Sequence, residues 1–276
     1  MKTIVITGVT SGIGKALVHH FVKQGNRVFG VARNSERLKT LETDLVRENY
    51  KGTFVSVVAD LASFKSLQEG VRTIKSHLHA GTLDVLINNA AIVPKQRKIT
   101  EDGYELQYQV NHLSVVFLTL ELIDYLQAAR GKVLVTGSDA HKRARFAYDD
   151  LQGLKRYHAL RSYCRTKLYN VMTTEYLKTH YNLSFYTVHP GRVKTEIGTK
   201  DTSRFYAFMW RLFTRKGYLP DETVDTYDWL INQDIKSGYY HQKAPRESLL
   251  IANNQKAQKY LFDETHKALT PFLTKP

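Results

Sequence analysis

A chain of 276 residues with 42% hydrophobic and 11% aromatic side chains can bury one large core, so a single α/β domain over residues 1–276, without a separate linker, is expected. The 40 Lys and Arg against 26 Asp and Glu leave a formal charge of +14, which favours anionic partners (a phosphorylated cofactor, an anionic membrane face, nucleic acid) without choosing among them. Cys164 is the only cysteine, which excludes an intrachain disulfide, and no apolar stretch is long enough to span a bilayer, so a cytoplasmic protein is expected.

The first apolar run, residues 2–7, is far too short for a signal peptide and reads as a strand. Behind it stands Thr7-Gly8-Val9-Thr10-Ser11-Gly12-Ile13-Gly14, and then a helix over 12–25. Glycines at a strand-to-helix turn let the backbone approach a pyrophosphate, and the helix N-terminus supplies free N–H donors. A P-loop is excluded: Val9 stands where its first glycine belongs, and Ala16 where Ser or Thr should hold magnesium. A dinucleotide site is expected, contacted by Gly8, Thr10, Ser11, Gly12, Ile13 and Gly14.

The second strand, 27–32, ends on Arg33-Asn34 with no carboxylate to hold a ribose 2′-hydroxyl; Glu36 lies beyond it. Arg33 suits a 2′-phosphate, so NADP(H) is the expected cofactor. A helix over 36–49 and a strand over 53–59 lead to Asp60, placed either to accept from the adenine amino group or to cap the helix over 64–79. Strand 84–88, helix 101–128, strand 131–137, helix 158–181 and strand 184–189 continue the rhythm. Nearly all-apolar strands alternating with helices imply a parallel sheet covered on both faces, the doubly wound Rossmann-type fold.

Within the helix over 158–181, Tyr163 and Lys167 stand four apart and share a face. A neighbouring ammonium stabilises a phenolate, yet such a pair also occurs on many solvated helix faces and carries little weight by itself. It is not isolated. Together with the glycine turn, Asp60-Leu61, Asn88-Asn89-Ala90, Asn111, Ser138, Tyr163/Lys167 and Pro190-Gly191 stand in the order of the short-chain dehydrogenase/reductase family, which the chain resembles along almost its whole length. Asn111-His112-Leu113, Ser138-Asp139-Ala140-His141, His189-Pro190-Gly191 and Ser237-Gly238-Tyr239-Tyr240 are similar to the retinol-dehydrogenase-like branch.

That resemblance implies an oxidoreductase in which Ser138 hydrogen-bonds the substrate oxygen and Tyr163 is the general acid/base. Lys167 would bind the nicotinamide ribose and lower the tyrosine pKa, and Asn111 would support a proton-relay water. Asp60, Leu61, Asn88, Asn89 and Ala90 would hold the adenosine side, and Pro190, Gly191, Val193 and Thr195 would shield and bond the nicotinamide. Ala91, where the family has glycine, and Gly137, where a second serine is common, are departures that remove no catalytic group.

Residues 195–232 are the expected substrate loop or lid. In it Phe205, Phe208, Met209, Leu212 and Phe213 form an apolar helical stripe flanked by Arg204, Arg211, Arg215 and Lys216. This stripe could roof a lipophilic substrate, lie on an anionic membrane surface through 203–216, or pack on the domain's own core. The basic run His141-Lys142-Arg143-Ala144-Arg145 reads as a solvated loop; neither a nucleic-acid partner nor a metal is expected, and a homodimer is compatible with the reading. Reduction of a lipophilic aldehyde or ketone by NADPH is the first functional expectation. The alternative is a nucleotide-binding regulatory or scaffolding protein that keeps the fold without turnover.

Overall fold

The computed structural model describes residues 1–78, 81–191, 193 and 217–274. β1 (Thr3–Thr7), β2 (Arg27–Ala32), β3 (Thr53–Val58), β4 (Val85–Asn88), β5 (Lys132–Thr136), β6 (Ser184–His189) and β7 (Gly238–His241) run parallel. The two-residue β8 (Ala244–Pro245) adds an antiparallel edge. The order is β3-β2-β1-β4-β5-β6-β7-β8, so the winding reverses between β1 and β4 and opens a crevice beyond their carboxyl ends.

Helices cover both faces because each carries an apolar stripe. On one face α1 (Gly12–Lys23) buries Leu17, Phe21 and Val22, and α2 (Ser35–Arg47) buries Leu38, Leu41 and Leu45. Asn34 caps α2, its side chain accepting from Arg37 N at 2.8 Å. On the other face lies α3 (Phe64–His77), capped by Ser63 and not by Asp60.

The expected helix over 101–128 is broken into α4 (Leu106–Tyr108), a π-helical turn (Gln109–Leu113), α5 (Ser114–Glu121) and α6 (Ile123–Ala128). The cause of the wide turn is Asn111, whose amide pairs with both backbone groups of Ile92: it accepts from N at 2.8 Å and donates to O at 2.9 Å. The extra residue aims Asn111 at that loop, as π-bulges at functional sites often do. The long α7 (Ala159–His180) then packs beneath α9 (Gln255–Leu269), with Tyr176 stacked on Phe262 at 4.5 Å.

Of the stretch 195–232 expected as a lid, residues 195–216, including Thr195 and the stripe at 205–213, lie outside the described residues. Its end is not free: α8 (Pro220–Asn232) sends Val224, Tyr227, Leu230 and Ile231 into the core shared with α1. This helix carries Pro at its first position and acids in its first turn, as helix N-termini favour.

The crevice is held open by close backbone packing and by one threonine. Gly8 has φ +74°, and a Cβ on it would lie 3.0 Å from Ala90; a Cβ on Gly14 would lie 2.3 Å from Gly8 O. Thr7 Oγ1 accepts from the backbone N of both Asn89 and Ala90 at 3.0 Å, fastening the end of β4 to β1. Thr7→Val keeps the shape and strands both donors; at about 1–3 kcal/mol for each unsatisfied buried group, the variant should lose at least about 2 kcal/mol. Urea unfolding at constant slope checks this, and an unchanged midpoint would contradict it.

Candidate active site

β5 delivers its last residue, Thr136, to the centre of the crevice, followed by Gly137 and Ser138. Gly137 leaves no room for a side chain, since a Cβ there would stand 2.5 Å from Thr187 Cγ2. Ser138 is extended and caps a 3-10 turn (Asp139–Arg143), with Oγ accepting from Ala140 N at 3.2 Å.

α7 brings Tyr163 and Lys167 to the same place, 9% and 2% exposed. Lys167 Nζ lies 5.6 Å from the Tyr163 ring centroid and donates to Thr136 O at 2.6 Å. Burial pushes the Tyr163 phenol up to about 12, with the Ser138 hydroxyl drawing it partly back, so the phenol expected to be lowered by Lys167 instead stands above the usual tyrosine value in the cofactor-free protein. Burial lowers Lys167 to about 8. At neutral pH the phenol is therefore protonated and the ammonium charged. Asn111 is near at hand: its side chain also donates to Thr166 Oγ1 at 3.3 Å, and its backbone O accepts from Asn170 Nδ2 at 2.9 Å.

Asn88 and Asn89 stand at the crevice edge, but their side chains brace strands. Asn89 donates to Thr7 O at 3.0 Å and accepts from Thr136 Oγ1 at 3.3 Å. Asn88 donates to Thr119 Oγ1 at 3.3 Å, while its buried Oδ1 has no partner among the described residues. Asp60 turns its carboxylate to Ala62 N at 3.0 Å, with Leu61 buried beside it. At the far end Gly191, with φ +84°, packs against Tyr218, and Val193 bridges to Tyr218 behind Pro190.

A dinucleotide fits these groups. Ser11 begins α1 without a side-chain cap and no acid occupies the first turn, so the helix N-terminus keeps free donors for an anion behind Thr10 and Gly12. Ile13 and Gly14 are buried under it. Arg33 is exposed at the end of β2 without an ion pair among the described residues. Lys167 spends one of its three donors on Thr136, leaving two for hydroxyl oxygens.

The chain matches the family model described as short chain dehydrogenase over residues 2–204. It is a short-chain dehydrogenase. Retinol dehydrogenase 13 of Mus musculus is 33% identical over 225 residues, 77% of this chain and 67% of that protein. Retinol dehydrogenase 11 of Homo sapiens is 32% identical over 220 residues, with the same two shares, 77% and 67%. These relatives put the chain in the retinol-dehydrogenase-like branch. NADPH-bound carbonyl reductase from chicken fatty liver shares the fold, with TM-score 0.66 and 19% identity over 90% of this chain and 98% of that one. The protein is thus an NAD(P)-dependent oxidoreductase acting on CH–OH donors. Among the described residues of this dehydrogenase no helix is long and apolar enough to cross a membrane.

Several supports of the site carry no sign in the sequence of what they touch. Thr136 is one: Tyr227 OH lies 2.8 Å from its Oγ1, closing a chain from α8 through β5 to Asn89. A second set surrounds Ser138. His141 accepts from Leu249 N at 3.3 Å through Nε2, so Nδ1 carries the proton and donates to Ser138 O at 2.7 Å. Asp139 Oδ1 accepts from Tyr239 OH at 2.8 Å, and Oδ2 faces His189 Nε2 at 3.5 Å. His189 Nδ1 accepts from Gly191 N at 3.4 Å, which ties the serine loop to the glycine loop of this dehydrogenase. Burial lowers His189 to about 4, so the ring is neutral and Nδ1 can accept. The branch marks at 138–141 and 189–191 flagged these residues; only the fold shows that they meet.

Lys167 sets a pH signature. Its native pKa near 8 lies below the ordinary lysine value of 10.5, so between these values the unfolded chain binds more protons and stability rises with pH. The stability of the cofactor-free protein minus that of Lys167→Met should therefore climb between about pH 8 and 10. Chemical denaturation at several pH values checks this; a flat difference would contradict it.

Proposed function

We propose that this dehydrogenase uses NADPH to reduce a lipophilic aldehyde or ketone, with Tyr163 as proton donor. The observation that carries the reading is the buried phenol, protonated at neutral pH, close enough to the Ser138 hydroxyl for that group to lower its pKa, and one helical turn from Lys167. A protonated phenol is the form that serves reduction; oxidation would require the phenolate first. Bound nicotinamide supplies the hydride.

The chain's own residues do the rest. Ser138 donates to the substrate oxygen, and Tyr163 donates a second hydrogen bond that becomes the proton transfer as charge develops there. Lys167, held by Thr136 O, keeps a positive charge beside the phenol and stabilises the phenolate left behind. Free donors at the start of α1 and the exposed guanidinium of Arg33 support the cofactor assignment. The kinship with retinol dehydrogenases supports a long apolar substrate body.

Tyr163→Phe should lower kcat by about 10²–10⁴-fold, the usual worth of a positioned acid, while leaving the NADPH Kd within about twofold, since the ring stays in place. Loss of NADPH absorbance with retinal and long-chain aldehydes checks the first number. Undiminished turnover would remove the role.

Arg33→Asp should raise KM for NADPH by about tenfold or more, because a charge-assisted hydrogen bond is worth about 1.5–3 kcal/mol. KM for NADH should move less than about twofold. Equal effects on both cofactors would contradict a 2′-phosphate contact.

A further inference from the structure

The helix that aims Tyr163 inward aims two arginines outward. Arg161 and Arg165, each two residues from Tyr163, lie about 200° around α7 from it. They line a cavity of about 610 Å³ together with the loop from Arg145 to Asp150 and with Lys155 and Arg156. Five cationic side chains therefore meet two carboxylates there.

Both carboxylates are already engaged. Asp150 accepts from the backbone N of Leu154 at 2.7 Å and of Lys155 at 3.4 Å, and faces Arg165 Nη1 at 3.9 Å. Arg165 also donates to Asp150 O at 2.9 Å. Asp149 pairs with Lys155. Arg145, Arg156 and Arg161 are exposed and have no carboxylate partner among the described residues. Three uncompensated guanidiniums around one concavity repel one another and focus a positive potential on its interior. Their planar forks suit phosphate oxygens, and a phosphate monoester, near −2, would offset most of their charge.

The cavity is too large for phosphate alone and has an aromatic side. Its volume is that of a site for a small organic molecule. Phe146 meets Tyr148 edge-on at 4.7 Å, and Tyr148 meets Tyr260 of α9 at 4.9 Å. Tyr260 OH donates to Tyr148 O at 2.8 Å, which fixes the loop against α9.

We propose that this cavity, on the face of α7 opposite Tyr163, binds a phosphate monoester with an apolar body: the phosphate on Arg145, Arg156 and Arg161, the body along Phe146 and Tyr148. The same chemistry is offered by a soluble phosphate ester and by a phospholipid headgroup.

The test is calorimetric titration of the full chain with octyl phosphate and with inorganic phosphate. Wild type is compared with Arg156→Ala/Arg161→Ala and with Arg47→Ala/Arg72→Ala, which removes equal charge from exposed positions on α2 and α3. Saturable 1:1 binding of octyl phosphate is expected, at least tenfold tighter than inorganic phosphate. The 156/161 variant should weaken it at least tenfold, and the 47/72 variant less than twofold. Flotation with vesicles containing phosphatidic acid, lost in the 156/161 variant, would assign the source to a headgroup; no flotation would assign it to a soluble ester. Absence of saturable binding, or equal weakening in both variants, would overturn the proposal.

Discussion

A lysine ammonium that is 2% exposed and bonded to one protein oxygen is costly to bury, and the active site is arranged around it. Burying an ammonium without a carboxylate strongly disfavours its charged form, and here that cost appears as a pKa near 8. The bond that retains it comes from Thr136 O, a backbone carbonyl at the end of a strand, which cannot move without moving the sheet. The position of Lys167 is thus set by β5. Tyr163, on the same helix, inherits that position.

The same strand end is clasped from both sides. Thr136 Oγ1 reaches Asn89 and, through Tyr227, α8; Thr7 Oγ1 holds the backbone of Asn89 and Ala90 against β1. Two threonines therefore join β1, β4, β5 and α8 at the switch point, where a doubly wound sheet opens its ligand crevice. Around Ser138 the two imidazoles are kept uncharged beside the Asp139 carboxylate: burial lowers His141 and His189, so each ring has one donor and one acceptor nitrogen and each uses both. The serine hydroxyl is presented by a framework whose hydrogen bonds do not depend on titration near neutral pH.

Much of this was legible in the chain because local rules and the fold agreed. The apolar strands at 2–7, 27–32, 53–59, 84–88, 131–137 and 184–189 match the observed strands within a residue or two at each end. The glycine turn lies at the start of α1, and α7 brings Tyr163 and Lys167 to the end of β5. The 101–128 segment failed as one helix because the pairing of Asn111 with Ile92, a tertiary contact, outweighs helical periodicity. The strand at 238–241 and the helix at 255–269 escaped because four residues give too short a pattern and the helix stripe, Ala257, Leu261 and Leu269, is sparse. The clasping role of Thr136 and the meeting of Asp139 with His189 depend on which strands are neighbours, and periodicity within a strand is silent on that. Asp60 showed the same limit, since a side chain placed for a ligand or a cap accepts from Ala62 N.

The central claim is that burial keeps Tyr163 protonated until the reaction takes its proton. Ultraviolet difference titration of the cofactor-free wild type against Tyr163→Phe reads that group alone among the 17 tyrosines. With the phenol raised to about 12, the difference should show no phenolate through pH 10, the ordinary tyrosine value. A phenolate signal with its midpoint below 10 would contradict the account.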